Sequence, residues 1–90
     1  DDNYYILSNQ EFGQGRPDLV IMPEDKDKKA YILEFKNEYS NSKVSVQKDA
    51  DEALKQIKEK KYAAGIKKTG VKRIVEIGLG FKGKKCAVRY

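Results

Sequence analysis

The chain contains no histidine and no tryptophan, and its only cysteine is Cys86. An intrachain disulfide needs two cysteines, and a structural zinc site needs several cysteine or histidine ligands, so both are excluded. Without histidine, Cys86 also lacks the usual base that would activate it as a nucleophile. We therefore expect Cys86 to be a small buried residue of an apolar strand, in a protein of the reducing cytoplasm.

Long hydrophobic runs are also missing. No stretch approaches the roughly 18 apolar residues of a membrane helix, and the mean hydropathy is −0.79. The first residues, Asp1-Asp2-Asn3, are unlike the basic and then apolar start of a signal peptide. With 39% hydrophobic residues in 90 positions, the composition predicts one soluble domain that has a thin core and no contact with a membrane.

The charges are distributed unevenly along the chain, whose formal net charge is +5. Residues 1–45 carry six basic and nine acidic side chains, whereas residues 46–90 carry thirteen basic and five acidic ones. A basic half attracts polyanions such as nucleic acid, and an acidic half can collect carboxylates around a divalent cation. A solvated, highly charged surface would give the same composition.

Apolar residues with high strand propensity form five short runs that are separated by turn residues. These runs are residues 4–7, 19–22, 31–35, 73–80 and 86–88. Between the third and fourth runs, apolar residues such as Ala50, Leu54, Ile57 and Ala64 recur at helical spacing. The pattern predicts one helix over residues 46–66 after a polar turn over 37–45, with Gly65 or Gly70 ending the helix. The predicted order is β-β-β-α-β-β in a single domain over residues 1–90.

The strands are apolar at consecutive positions, so both faces of the sheet need cover. One helix covers only one face. We therefore expect that a helix before Asp1 is missing from this chain, or that a partner chain covers the second face. A second face lined with polar side chains would contradict this expectation.

Charged side chains cluster at one end of the hairpin that the second and third strands are expected to form. Asp18 precedes the second strand, and Glu34 and Lys36 close the third. Strand side chains alternate between faces, so Glu34 and Lys36 point the same way. If the hairpin pairs Met22 with Ala30, Asp18 lies directly opposite Glu34, with Cβ atoms about 4.5–5.5 Å apart.

Two facing carboxylates repel each other unless a cation lies between them, and a hard divalent ion with oxygen ligands is the natural occupant. Such an ion can activate water and stabilise charge on a phosphodiester. The ammonium group of Lys36 can orient the nucleophile or neutralise developing negative charge. Asp18, Glu34 and Lys36 are therefore the predicted catalytic cluster, with Asp18 and Glu34 as metal ligands.

Two segments resemble the signature of the PD-(D/E)XK nuclease superfamily. Residues 15–18 (GRPD) lead into an apolar strand, and residues 32–36 (ILEFK) end the next one. Residues 53–63, 77–81 and 83–85 are similar to a bacterial branch of the superfamily whose nuclease-like domain usually lies C-terminal to an ATPase-like domain. The resemblance covers nearly the whole chain.

This resemblance implies a restriction-endonuclease-like mixed sheet whose usual first helix is absent here, as in a fragment of a longer protein. It implies Mg²⁺ or Mn²⁺ as cofactor and hydrolysis of phosphodiester bonds. Our first hypothesis is that the substrate is DNA in preference to RNA. The resemblance also implies that Gln56 and Tyr62 contact substrate or brace the lysine, although packing of an aromatic ring at the helix end explains Tyr62 equally well. Their spacing of six residues turns them about a third of a circle apart on an ideal helix, so we do not expect them to share one task.

Two other functions fit the same sequence. The domain could bind nucleic acid through its basic helix without catalysis, or it could be an assembly module that docks its uncovered sheet face on a second copy or on an ATPase-like domain. Arg16 and Glu11 are expected to be ordinary exposed side chains. Gly78, Gly80 and Gly83 are expected to be strand-end and turn glycines.

Overall fold

The computed structural model describes residues 3–37 and 45–90. Its elements are strands β1 (Tyr4–Leu7), β2 (Leu19–Pro23), β3 (Ala30–Lys36), β4 (Ile74–Lys82) and β5 (Lys85–Arg89), and helices α1 (Val46–Glu59) and α2 (Tyr62–Lys67). Most of the turn that we predicted over residues 37–45 lies outside the described residues. Within the described ranges, neither helix is long and apolar enough to cross a membrane.

The five strands form one mixed sheet in the order β1-β2-β3-β4-β5. Neighbouring strands are antiparallel except for β3 and β4, which are parallel. Parallel neighbours need a crossover connection, and α1 and α2 provide it. The predicted mixed sheet and its element order are therefore confirmed, except that the single predicted helix is two.

The helical segment breaks at Lys60 and Lys61, so the prediction of one helix over residues 46–66 is wrong. Lys61 has a left-handed backbone with φ of 56°, and the main-chain N–H of Gln14 donates to the carbonyl oxygen of Lys60 at 2.8 Å. That carbonyl would otherwise accept from Ala64 in a continuous helix. Because the break rotates the second helix, Ala64 is exposed. Gly65 lies inside α2 and does not end it.

Gly78 and Gly80 lie within β4, directly beneath α1, and are not the strand-end glycines that we predicted. A Cβ atom on Gly78 would collide with the carbonyl oxygen of Ala50, and one on Gly80 would collide with that of Val46. The helix backbone therefore rests on the strand backbone. Gly83, with φ of +60°, is the turn glycine that the sequence predicted.

The core lies between the sheet and the helices. Its buried side chains come from strands, helices and connecting segments, namely Phe12, Val20, Met22, Ala30, Ile32, Ile57, Tyr62, Ile66 and Val71. The even-numbered positions of β2 and β3 face this core. The same alternation places Asp18, Glu34 and Lys36 on the helix-covered side of the sheet.

The opposite face of the sheet is apolar and open, as we expected. Tyr4, Ile21, Tyr31, Leu33 and Ile77 line a depression of about 420 Å³ there, and the rings of Tyr4 and Tyr31 lie 6.4 Å apart. The large side chains that remain exposed on it include Ile6, Phe35 and Val88, of which Ile6 is 64% exposed. No element in residues 3–37 and 45–90 covers this face.

Cys86 is exposed, and the prediction that it is buried is wrong. It lies opposite Phe81 in the β4–β5 ladder, on the open face. Strand β5 is also the edge of the sheet. The sequence could not indicate this exposure, because an apolar strand has the same pattern whether its outer face is covered or not.

Candidate active site

Asp18 and Glu34 face each other across the β2–β3 hairpin. The ladder pairs Leu19 with Leu33 and Val20 with Ile32, so the same register extended by one residue places Asp18 opposite Glu34. The register that we predicted from the sequence is therefore confirmed. Asp18 lies at the entry to β2, and its side chain is exposed at this end of the sheet.

Each of these two residues binds the backbone of the other strand. The main-chain N–H of Asp18 donates to Glu34 Oε1 at 2.9 Å, and the main-chain N–H of Phe35 donates to Asp18 Oδ2 at 2.8 Å. These reciprocal bonds continue the hairpin where regular ladder pairing has ended, and they fix both carboxyl groups in place. Hydrogen bonds from N–H groups to a carboxylate are among the stronger ones in proteins.

Burial dominates the chemistry of Glu34, whose side chain is only 4% exposed. Removal from water raises the pKa of the Glu34 carboxyl, the hydrogen bond from the Asp18 main chain lowers it, and the nearby Asp18 side chain raises it, so that the pKa is about 7. Glu34 is therefore poised to lose its proton near neutral pH, and a cation placed beside it would favour the charged form.

Gln56 and Tyr62 join the carboxylate pair from the helical side. Gln56 Nε2 donates to Glu34 Oε2, and the Tyr62 hydroxyl lies close enough to Gln56, Glu34 and Asp18 for each of them to shift its pKa. Burial raises the pKa of the Tyr62 hydroxyl, the bond with Gln56 lowers it, and the charges of Glu34 and Asp18 raise it. The four side chains thus form one connected group.

This proximity contradicts the separation that we expected for Gln56 and Tyr62 from ideal helix geometry. The break at Lys61 resets the direction of the chain, so Tyr62 begins a new helix and turns back towards Gln56. Tyr62 is also fully buried, at 1% exposure.

Lys36 lies on β3 two residues beyond Glu34, and its side chain is half-buried. Both side chains therefore extend from the same side of the strand. Lys36 pairs with Gly80 of β4, where the absence of a side chain leaves β3 and β4 close beneath the start of α1. The fold thus delivers the lysine to the same end of the sheet as the two carboxylates.

Arg16 and Glu11 are exposed, in agreement with the sequence. Arg16 donates to Asn9 Oδ1 at 3.1 Å and lies 3.4 Å from Glu11 Oε1. Glu11 therefore pairs with Arg16 across the loop that precedes Asp18.

Gly15 packs against Tyr62, a contact that could not be predicted from the sequence. A Cβ atom on Gly15 would lie 3.3 Å from the Tyr62 hydroxyl oxygen, so a larger residue would press on the group around Glu34. The only sequence signal was the turn composition of residues 13–15.

The oxygen donors of this site suit a hard divalent ion such as Mg²⁺ or Mn²⁺. No group of three or more histidine, cysteine, aspartate or glutamate side chains that could hold a metal occurs in residues 3–37 and 45–90. The candidate ligands are then the two carboxylates of Asp18 and Glu34. Mg²⁺ is commonly held by one or two carboxylates, with water and substrate phosphates completing its octahedral shell.

A mixed sheet with a helical crossover, and an acidic pair and a lysine at one end of its hairpin, defines a restriction-endonuclease-like α/β domain. The whole chain, residues 1–90, matches the family described as the PD-(D/E)XK nuclease superfamily. The chain belongs to that superfamily. No curated protein and no solved structure shows significant similarity to it.

Proposed function

We propose that this protein is a hydrolase that cleaves phosphodiester bonds in DNA and depends on Mg²⁺ or Mn²⁺. The observation that carries the proposal is the pair of carboxyl groups of Asp18 and Glu34, which reciprocal backbone hydrogen bonds hold together. Membership of a nuclease superfamily supports a nucleic-acid substrate.

In the proposed mechanism, Asp18 and Glu34 are the residues that would hold the divalent ion. Bound there, the ion would supply charge stabilisation for the phosphodiester and would lower the pKa of a water molecule. Gln56 fixes the orientation of the Glu34 carboxyl by donating to Oε2, and the buried ring of Tyr62 borders the same group. A rigid acidic group of this kind would present its ligand atoms with little reorganisation.

Lys36 takes the role of the cation beside the reacting phosphate. Its ammonium group would orient the attacking water and offset the negative charge that develops on the phosphate oxygens. The half-buried position of the side chain would strengthen this interaction, because water screens a charge less in such a site.

DNA is the proposed substrate in preference to RNA, and membership of a nuclease superfamily supports a nucleic acid of either kind. The excess of basic residues in positions 46–90 agrees with a polyanionic substrate of either kind. We also propose that the protein works in the cytoplasm, where the exposed thiol of Cys86 would stay reduced.

A cleavage assay tests this function directly. Wild-type protein, Lys36→Gln and the control Lys48→Gln, which alters an exposed lysine of α1, are incubated with plasmid DNA or with RNA in Mn²⁺. We expect cleavage of DNA by the wild type and the control, and a loss of at least about 100-fold for Lys36→Gln. Undiminished cleavage by Lys36→Gln would contradict the proposed role, and preferential cleavage of RNA would contradict the choice of substrate.

The open apolar face supports a second candidate, a module without catalysis that assembles with a partner. Ile6, Phe35 and Val88 expose large apolar surfaces on it, and such surfaces in soluble proteins commonly mark interaction sites. The partner would be a second copy or an N-terminal ATPase-like domain. Folded wild-type protein that forms concentration-dependent oligomers in sedimentation and cleaves neither substrate would favour this candidate.

A further inference from the structure

A basic groove of about 490 Å³ lies on the helical side of the sheet, beside the first half of β4. Four cationic side chains line it, and they come from three separate segments of the chain. They are Lys29, Lys67, Lys72 and Arg73. The groove is therefore produced by the fold and does not follow from a single run of lysines in the sequence.

The parallel pairing of β3 and β4 brings these cations together. Ala30 and Ile74 are register partners at the start of the two strands, and the main-chain N–H of Ala30 donates to the carbonyl oxygen of Arg73 at 2.9 Å. Lys29 and Arg73, which immediately precede the two strands, are thus neighbours. Lys67 ends α2 above them.

The groove carries a large excess of positive charge. Glu76 is the acidic residue among those that line it, and Lys58 Nζ binds Glu76 Oε1 at 2.7 Å. Lys58 therefore neutralises Glu76, so this carboxylate does not offset the positive charge of the four cations that line the groove. Arg73 uses one terminal nitrogen on the carbonyl oxygen of Asp27, and a guanidinium group has further N–H donors for an anion.

The groove is separate from the acidic pair but lies within reach of the same ligand. Glu34 is four residues beyond Ala30 on β3, a separation of about 13 Å at about 3.3 Å per residue. Successive base pairs of duplex DNA rise by about 3.4 Å. The separation between the groove and the acidic pair is shorter than one turn of duplex DNA, about 34 Å, so one duplex can contact both sites.

We infer that this groove binds the phosphate backbone of the nucleic acid at a distance from the cleaved bond, an inference that rests on the proposed function. Lysine and arginine side chains on phosphates supply affinity that is independent of base sequence and falls steeply with salt. The groove would hold the substrate, while Asp18, Glu34 and Lys36 would act on the phosphodiester.

The test compares two variants that remove the same charge. Lys67→Gln with Lys72→Gln removes two exposed lysines from the groove, and Lys84→Gln with Lys85→Gln removes two exposed lysines from the β4–β5 turn. Binding to a 20-base-pair fluorescent duplex is measured by anisotropy at several salt concentrations, without divalent metal. Thermal melts of both variants check that they remain folded.

We expect the groove variant to bind on the order of tenfold more weakly than the wild type and the turn variant to bind within about twofold. The slope of log affinity against log salt should fall by nearly two for the groove variant, about 0.9 for each lost phosphate contact. Equal losses in the two variants would overturn the inference, because affinity would then follow net charge alone. Absence of DNA binding by the folded wild type would overturn it as well.

The inference and the proposed function can fail separately. A wild type that binds DNA through the groove but cleaves nothing would contradict the proposed catalysis and support the role of the groove. Cleavage by the wild type together with unchanged binding by the groove variant would contradict the role of the groove and support the proposed catalysis.

Discussion

At the scale of single residues, the buried carboxyl of Glu34 is the least stable feature of the site in the absence of metal. It is almost enclosed by protein, yet it faces the carboxylate of Asp18, which adds repulsion to the penalty of burial. The donors from Asp18 and Gln56 offset this penalty in part. A bound cation would offset most of the remaining energetic penalty of the Glu34 carboxylate.

The raised pKa of Glu34 predicts how stability depends on pH. The pKa of Glu34 is 4.5 in the unfolded chain and about 7 in the folded protein. Between these two pH values, the folded protein keeps a proton that the unfolded chain has already released. The free energy of unfolding therefore falls as pH rises through this window, by on the order of 3 kcal/mol in total. Urea denaturation of the metal-free protein from pH 4.5 to 8 measures this loss.

The same denaturation of Glu34→Gln isolates the contribution of this group. The variant should be more stable than the wild type at pH 8 and should lose less stability across the window. Glu59→Gln, which changes an exposed carboxylate of α1, should follow the wild type. Matching pH profiles for Glu34→Gln and the wild type would show that Glu34 does not titrate in this range.

The positions of Asp18 and Glu34 could be predicted from the sequence because strand alternation and one hairpin register determine them. The reciprocal hydrogen bonds could not be predicted, since they depend on where the ladder ends. The contact between Gln56 and Tyr62 depends on the break at Lys61, and a lysine carries no sequence signal for a left-handed backbone.

At the scale of elements, α1 and β4 approach so closely that side chains are excluded between them. Gly78 lies beneath the main chain of Ala50 and Leu54. The strands themselves were predictable from their apolar runs. The close contact between helix and strand could not be predicted, because a glycine in a strand-like sequence can equally mark a turn, a bulge or a close contact.

Replacing Gly78 with alanine should therefore destabilise the protein strongly. The new methyl group would meet backbone atoms that cannot move without shifting α1, and overpacking of this kind costs about 3 kcal/mol. Gly83→Ala is the matched control, because nothing lies within 4 Å of the Cβ position there. The Gly83→Ala substitution should cost only about 1 kcal/mol, because alanine is disfavoured in the left-handed backbone conformation of this turn. Equal losses in urea denaturation would contradict this packing of α1 on β4.

At the scale of the whole molecule, the sheet has two different sides. The helical side holds the core, the acidic pair and the basic groove, and the other side exposes apolar residues. The sequence predicted the apolar character of both faces, because its strands are apolar at consecutive positions. It could not predict the groove, whose cations are distant in sequence and meet only through the parallel pairing of β3 and β4.

The central claim is that two strands of this sheet hold a divalent cation between Asp18 and Glu34. Its most direct test is calorimetric titration of Mn²⁺ into the folded protein at pH 8, above the raised pKa of Glu34. We predict saturable binding by the wild type and by Glu59→Gln, binding that weakens at pH 6, and no binding by Glu34→Gln. Equal binding by wild type and Glu34→Gln, or none by the folded wild type, would contradict the claim.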